Sequence, residues 1–472
     1  MILNKTHISE TIGGRLDFQY VAYKQSLAQY KYPILPLSEL LISKPQYGAN
    51  EAGIDRIDNK APRYIRITDI NEYGILSDDL GASATTVEEK YILNNDDIII
   101  ARSGNTVGKA YIHKTEHIGY PCFFAGYMIR FIVNPKLVVP DFIFILTQLS
   151  FYKKWVKAIQ RTTGQPNINA EEYKTLPIPL PPIEIQQQIV DIYTTAQKAK
   201  EAKEEQANTL LDSIDDYLLS QLGIILPAKE ATQKIYKVKL SDLLGSRWNP
   251  AIYNPNTIAL KSIQQSNTLP KMHLADMVIS NIAGDWGKDE SEIADNYTRC
   301  LVIRATEFDN RYNLNLDNSR TKYRQIKTDK LNKMDVRTCD ILIEKSGGSP
   351  DQPVGRVAYI TDEIVKDNNT VAYSNFIQKI RIDQTKANSE YVYYYLRTMY
   401  RIGITESMQS QTNGIRNLQM NNYFQQTVLL PDNQNEIVKH IRAIYTQAKA
   451  LEDEAVVVLE SAKKQIEKMI LG

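Results

Sequence analysis

The chain has 472 residues, 43% hydrophobic and 24% charged, with 56 basic and 55 acidic side chains. That length predicts roughly two to four domains, and the composition excludes collagen-like, coiled-coil-only and wholly disordered chains. A net charge of +1 means that any polyanion-binding face must come from segregated charge and not from its total.

The opening MILNKTHISE places no apolar core behind a basic head, so no secretory leader is expected. YIRITDI (Tyr64–Ile70), YILNNDDIIIA (Tyr91–Ala101) and YMIRFIV (Tyr127–Val133) read as strands between Gly, Asn and Asp turns. The spacing predicts one helix over Pro140–Ile159. Thr175–Pro182, TLPIPLPP, must be extended, because proline lacks an amide hydrogen and restricts the residue before it. A long helix is predicted from Ile183 to Leu222, with Ile185, Ile189, Ile192, Ala196, Ala199, Leu210, Ile214 and Tyr217 on its apolar stripe. In the second half, NFIQKIRI (Asn375–Ile382) reads as a strand, Ser389–Met399 as a helix and TVLLPD (Thr427–Asp432) as extended. The last helix carries Ile437, Ile441, Ile444, Ala448, Leu451, Ala455, Val458, Ala462, Gln465 and Met469 in steps of four and three, the seam of a coiled coil.

These elements repeat. DDIIIARSGNTVGKAYI (Asp96–Ile112) recurs as CDILIEKSGGSPDQPVGRVAYI (Cys339–Ile360), with 243 residues between Gly104 and Gly347. Tyr64–Ile70 pairs with Leu301–Phe308, Gly14–Asp17 with Ser246–Asn249, Thr175–Pro182 with Thr427–Asp432, and Ile189–Lys200 with Ile441–Glu452. Several matches in one order indicate a duplicated unit, each copy a strand-rich body followed by a long helix. Two helices with bare apolar stripes are not stable alone in water. They are therefore expected to pack on each other, antiparallel, with one globular body at each end. The fold class is α+β.

Several motifs look catalytic and fail on chemistry. Gly104–Lys109 has three residues between its glycines where a phosphate loop needs four, and Ala110 has no hydroxyl for magnesium; it reads as a hairpin turn. His113–His117 fits HxxEH but follows a strand and precedes Ile118-Gly119-Tyr120-Pro121, so the imidazoles lack the helix that zinc chemistry needs. Glu88-Glu89-Lys90 after Asp78-Asp79 only superficially resembles a nuclease set. No amino-methyltransferase Asn/Asp-Pro-Pro-Phe/Tyr step, GxSxG or GxGxxG is present. Cys122, Cys300 and Cys339 lie far apart, which argues against a disulfide framework or zinc ribbon and fits a reducing cytoplasm. The longest apolar runs, Phe142–Leu146 and Ala455–Leu459, are five residues, so no membrane span is expected. Basic side chains do cluster over 153–161 and 320–337.

YIRITDI, DDIIIARSG, GQPNIN (Gly164–Asn169), LPIPLPPIEIQQQI (Leu176–Ile189) and the helix that follows resemble the specificity (S) subunit of type I restriction-modification systems. The second half departs in its lead-in, LLPDNQNEI (Leu429–Ile437), and carries Gly414–Leu418 where GQPNIN would stand. The resemblance implies target-recognition domains at 1–182 and 235–432, a first spacer helix and linker at 183–234 and a second spacer helix at 433–472. It also implies a non-catalytic chain that reads double-stranded DNA at a split site, one domain per half-site, and docks two methyltransferase subunits and through them restriction/translocase subunits. No cofactor is expected in this chain; S-adenosylmethionine and ATP/Mg then belong to the partners. A helix of about 38 residues spans roughly 57 Å, more than the ~34–36 Å between successive major-groove faces, which fits a bipartite target. Candidate DNA-binding residues are Arg63, Arg102, Lys109, Lys153, Lys154, Arg161, Gln165 and Asn167 in the first half. In the second they are Arg320, Lys322, Arg324, Lys345, Arg356, Gln411, Arg416 and Asn417. The other reading compatible with the duplication is a protein-binding scaffold without DNA readout.

Overall fold

The computed structural model describes residues 23, 30–160, 165–226, 237–243, 250–309, 313–316, 320–348, 352–367, 370–412 and 415–471. Arg161, Gly14–Asp17 and Ser246–Asn249 lie outside the described residues. Two compact units form, one from residues up to Glu204 together with those from Glu452 onward, the other from Glu205–Leu451.

In the first unit, β1 (Ile34–Pro36), β2 (Gln46–Tyr47), β3 (Gly53–Asp55), β4 (Arg63–Ile65), β5 (Ala82–Ala84), β6 (Ile98–Ala101), β7 (Ala110–Ile112), β8 (Cys122–Phe124) and β9 (Met128–Phe131) precede the first helices. Strands β2 to β9 form two sheets, in the orders β2-β9-β6-β7 and β3-β5-β4-β8. Strand β6 sits between two cores. Ile98 and Ile100 point toward the helices, whereas Ile99 joins the Tyr64–Phe123 cluster of the other sheet. Alternation with period two delivers both contacts from one uninterrupted apolar run, which is why the sequence there shows no polar face.

Helices α1 (Pro140–Gln148) and α2 (Ser150–Ile159) correct the single helix predicted over Pro140–Ile159: Leu149 is extended, with φ −89 and ψ 160. The break lets α1 bury all but its first residues while α2 keeps a wet face carrying Lys153, Lys154 and Lys157. The short α3 (Ala170–Lys174) starts at a capping box, in which Asn169 Oδ1 accepts from Glu172 N at 2.9 Å and Glu172 returns the bond to Asn169 N at 2.9 Å. β10 (Pro177–Pro179) then pairs antiparallel with β1, so the proline stretch is extended as its chemistry requires.

The second unit repeats this plan after α4 (Ile183–Gln221), α5 (Leu240–Leu243) and α6 (Pro255–Ser266). β11 (Lys271–His273), α7 (Leu274–Met277), β12 (Val278–Ala283), β13 (Lys288–Asp289), β14 (Tyr297–Ile303), β15 (Lys322–Lys327) and α8 (Thr328–Met334) lead to β16 (Ile341–Glu344), the counterpart of β6. β17 (Ser346–Gly347), β18 (Val357–Tyr359), α9 (Asp362–Asp367), β19 (Val371–Tyr373), β20 (Ile377–Ile382) and α10 (Ser389–Arg401) follow. β21 (Gln409–Thr412), β22 (Ile415–Leu418), α11 (Met420–Phe424), β23 (Thr427–Leu429) and α12 (Gln434–Ile470) end the chain. Ile341 and Ile343 enter one core and Leu342 the other, as in β6. β23 pairs with β11 as β10 does with β1.

The duplicated Asp-apolar start of these strands has one physical task. Asp96 and Cys339 both adopt positive φ, 69 and 72, which a non-glycine residue holds only when its neighbours determine it. The next residue supplies that constraint. Asp97 accepts from Asn94 N at 2.9 Å and pairs with Arg130 at 3.1 Å; Asp340 accepts from Arg337 N at 2.8 Å and pairs with Arg381 at 2.7 Å.

Within the first unit the start of α4 shares a core with the end of α12, Ile189, Tyr193 and Ala196 against Leu459, Ala462, Ile466 and Ile470. Within the second, Ala207, Leu211, Ile214 and Leu218 meet Ile437, Ile441, Ile444 and Ala448. The helices are thus antiparallel, as expected. The predicted seam holds through Ala455 and then slips. Leu459, Ile466 and Ile470 are buried in place of Val458, Gln465 and Met469, and Gln465 is exposed. A straight α-helix repeats every 3.6 residues, so a strict 3.5-residue count drifts off the buried face over several turns.

Candidate nucleic-acid interface

In both units the Ser-Gly turn is held by the same cross-connection. Ser103 bridges Asn167, Gly104 N donates to Pro166 O at 3.0 Å, and Ile168 N donates to Arg102 O at 2.8 Å. In the second unit Ser346 pairs with Asn417 and Gly347 with Arg416, and Leu418 N donates to Lys345 O at 2.7 Å. Ser346 Oγ adds a 2.7 Å bond to Asn417 Oδ1. Gly104 and Gly347 take φ of +83 and +120, where a side chain would be strained. Arg102 N and Lys345 N are each anchored, to Tyr127 O at 3.0 Å and Phe376 O at 2.9 Å.

This ladder brings together Arg102, Gln165 and Asn167 in the first unit, and Lys345, Arg416 and Asn417 in the second. Gln411 joins them through the backbone pairing of β21 with β22. The Arg102 guanidinium lies 4.9 Å from the centre of the Tyr47 ring. Partial burial pulls the Lys345 ammonium below its ordinary pKa. Amide and cationic side chains fixed on a short backbone ladder are the donor set that base edges and phosphates take.

The other candidates separate into surface and interior. Lys153 and Lys154 are exposed on α2. Lys109, Lys153 and Lys157 border a groove of about 490 Å³ with Thr106, Gln148 and Gln160. Arg320 and Lys322 are exposed, and Arg324 is partly covered, with Nε donating to Trp286 O at 2.7 Å and its guanidinium 4.5 Å from the Trp286 ring centre.

Arg63 and Arg356 are not surface groups. Arg63 is 1% exposed and donates to Asp79 Oδ1 at 2.7 Å, Ser77 Oγ at 2.9 Å and Tyr120 Oη at 3.2 Å. Arg356 makes a two-pronged pair with Glu344, 2.8 Å at both oxygens, and donates to Ala305 O at 3.0 Å and Phe308 O at 3.2 Å. A buried guanidinium whose donors are taken up by carboxylate, hydroxyl and carbonyl oxygens of the fold is not presented to solvent. Lys109 occupies the position of Arg356 and does related work, donating to Ile67 O at 3.2 Å. Burial lowers its pKa.

The decoy motifs stay apart from any chemistry. Gly104–Lys109 is a turn between β6 and β7. His113 is buried beside Tyr111 Oη at 3.1 Å, and burial drives its pKa down to about 4, whereas His117 is exposed. Among the described residues no three His, Cys, Asp or Glu side chains are placed to hold a metal ion. Burial pushes the Cys122 and Cys300 thiols up to about 11. Among the described residues no helix is long and apolar enough to cross a membrane. The sequence alone does not single out Tyr47 and Trp286, whose rings lie against the Arg102 and Arg324 guanidiniums; for Tyr47 the count of 29 tyrosines is the available signal, but the tyrosines of α10 that share it are core.

The type I restriction modification DNA specificity domain pattern matches twice, over residues 56–212 and 274–460. The chain belongs to that family. Its fold is similar to that of a chain in a structure on complex assembly and conformational transition of a type I R-M system, at 15% identity over 93% of this chain and 97% of that one, with a TM-score of 0.46. It is also similar to the HsdS subunit from Thermoanaerobacter tengcongensis (15%, 93% and 95%, 0.33) and to a type I restriction-modification S subunit from M. genitalium (13%, 94% and 97%, 0.40). Among curated proteins none matches the chain.

Proposed function

We propose that this chain is the DNA-reading subunit of a type I restriction-modification complex, each unit reading one half of a bipartite duplex target. The observation that carries the reading is the ladder built twice: Ser103 on Asn167, and Ser346 on Asn417, each beside a basic residue. A fold duplicated with its amide-and-cation edge intact, but with different side chains on the two copies, suits two half-sites of different sequence. Reading a few base pairs per unit is weak, and joining two readers in one chain makes the second contact intramolecular. Arg102, Gln165, Asn167, Lys153 and Lys154 serve the first half-site in this reading, with Lys109 at its margin and Arg161 on the same segment. Lys345, Arg416, Asn417, Gln411, Arg320, Lys322 and Arg324 serve the second.

Catalysis is then the work of two methyltransferase subunits, with S-adenosylmethionine, and of restriction/translocase subunits, with ATP and magnesium, all acting on DNA in the cytoplasm. The test is to map methylated bases in host DNA with and without the chain, and with residues 1–182 exchanged for those of another allele. A split motif that depends on the chain, and changes in one half only upon the exchange, supports the reading. A motif indifferent to the exchange favours a protein scaffold instead.

A further inference from the structure

The sheet β13-β15-β14-β19 of the second unit carries cations that the Ser-Gly ladder does not use. In its antiparallel register Lys288 and Arg299 each face Gln325, Leu301 faces Tyr323 and Tyr297 faces Lys327, so these side chains share one face. There the Arg299 guanidinium lies 3.9 Å from the Tyr323 ring centre and the Lys288 ammonium 4.9 Å from that of Tyr297. The Arg299 side chain is 53% exposed, and Tyr323 is 38% exposed. A ring beneath a cation holds it in place without neutralising it, which leaves the outer side of the guanidinium to a second, anionic partner. Glu290, 2.7 Å from Arg299 and itself 48% exposed, is a weak competitor for that position, as exposed ion pairs are.

The matching sheet of the first unit, β3-β5-β4-β8, lacks this surface. Strand β5 there reads Ala-Ser-Ala. Arg63 is enclosed as described, and Arg56, 4% exposed, donates to Ala61 O at 2.8 Å and Leu80 O at 3.0 Å with its guanidinium over Tyr120. The same combination of guanidinium and tyrosine is thus internal bracing in one copy and exposed in the other.

We propose that the Lys288–Arg299–Lys327 face of the second unit is a phosphate-contact surface, giving that unit a sequence-independent hold on duplex DNA that the first unit's matching sheet does not supply. This rests on the DNA-reading function proposed above. The planar guanidinium fork suits phosphate oxygens, and contacts made to phosphates position a duplex without reading its sequence.

The test uses the full chain with its methyltransferase partner and a labelled random-sequence duplex, titrated by fluorescence anisotropy across a salt series. Combining Lys288→Gln, Arg299→Gln and Lys327→Gln should lower the slope of log affinity against log salt by about 2–3, with thermal unfolding little changed because Arg299 and Lys327 are exposed and Lys288 is only half-buried. Tyr323→Leu should weaken binding a few-fold at an unchanged slope, since it removes the support and not the charge. Glu290→Gln should tighten binding. A triple variant that keeps the parental slope overturns the inference, including the case in which it instead loses the methyltransferase subunit. A parent protein that binds no duplex at any salt overturns the DNA reading as well.

Discussion

Replacing Arg356 with alanine should unfold the second unit more readily instead of merely weakening DNA binding. Glu344, 1% exposed, would be left buried without its two-pronged partner, and Ala305 O and Phe308 O would each lose a donor. Removing one partner of a buried ion pair costs about 3–5 kcal/mol, because the remaining charge stays desolvated. For a unit of this size that corresponds to a fall in melting temperature of roughly 10 °C. The companion variant, Arg356→Met with Glu344→Leu, removes both charges and should recover most of the loss. Calorimetry on the full chain measures both. If Arg356→Ala melts with the parent while duplex affinity drops, the arginine is a DNA contact after all and the internal-strut assignment is wrong.

Gly108→Ala should destabilise the first unit by about 2 kcal/mol or more, since φ is +89 and a Cβ would sit 2.8 Å from Val156; denaturant unfolding reads it, and an unchanged midpoint contradicts the turn geometry. Gln186→Ala should cost roughly 1–3 kcal/mol, because Gln186 Oε1 accepts from Val139 N at 2.8 Å at the start of α1 and Nε2 donates to Pro181 O at 2.8 Å. A smaller loss is expected for Gln434→Ala, which is half-buried and whose Oε1 accepts from Asn388 N at 3.0 Å in the second unit. His113, with its folded pKa near 4, takes up a proton more readily when unfolded. Stability should therefore rise with pH between about 4 and 6.5, by roughly 2–3 kcal/mol, and His113→Leu should flatten that part of the unfolding profile. Tyr73→Leu should loosen the first unit by about 1–3 kcal/mol, the Lys200 and Lys463 ammoniums lying 4.3 and 5.4 Å from its ring centre. Adding Lys200→Met to that variant should cost less than it does in the parent.

The duplication, the strands around DDIIIA and CDILIE, the extended proline lead-in and the two long helices were legible because each is encoded by local order: period two, period 3.6, proline, and one plan written twice. The correspondence of Ile415–Leu418 with the Asn167 segment was legible for the same reason, and Ser346 on Asn417 repeats Ser103 on Asn167. What a basic residue does was not. Lys345 and Arg356 lie eleven positions apart in one motif, yet the first stands beside the ladder and the second closes on Glu344. Arg63 looks as available as Arg102 until Asp79 and Tyr120 are brought to it across the fold. The slip of the α12 seam after Ala455 follows from the mismatch between 3.6 and 3.5 residues per turn, and the packing against Tyr193 and its neighbours shows which residues the drift buries. Periodicity fixes which face of an element is apolar, because that is set by the chain's own geometry. Whether a charged group ends in water or against a buried carboxylate is decided by residues distant in sequence, and only the folded packing brings those together.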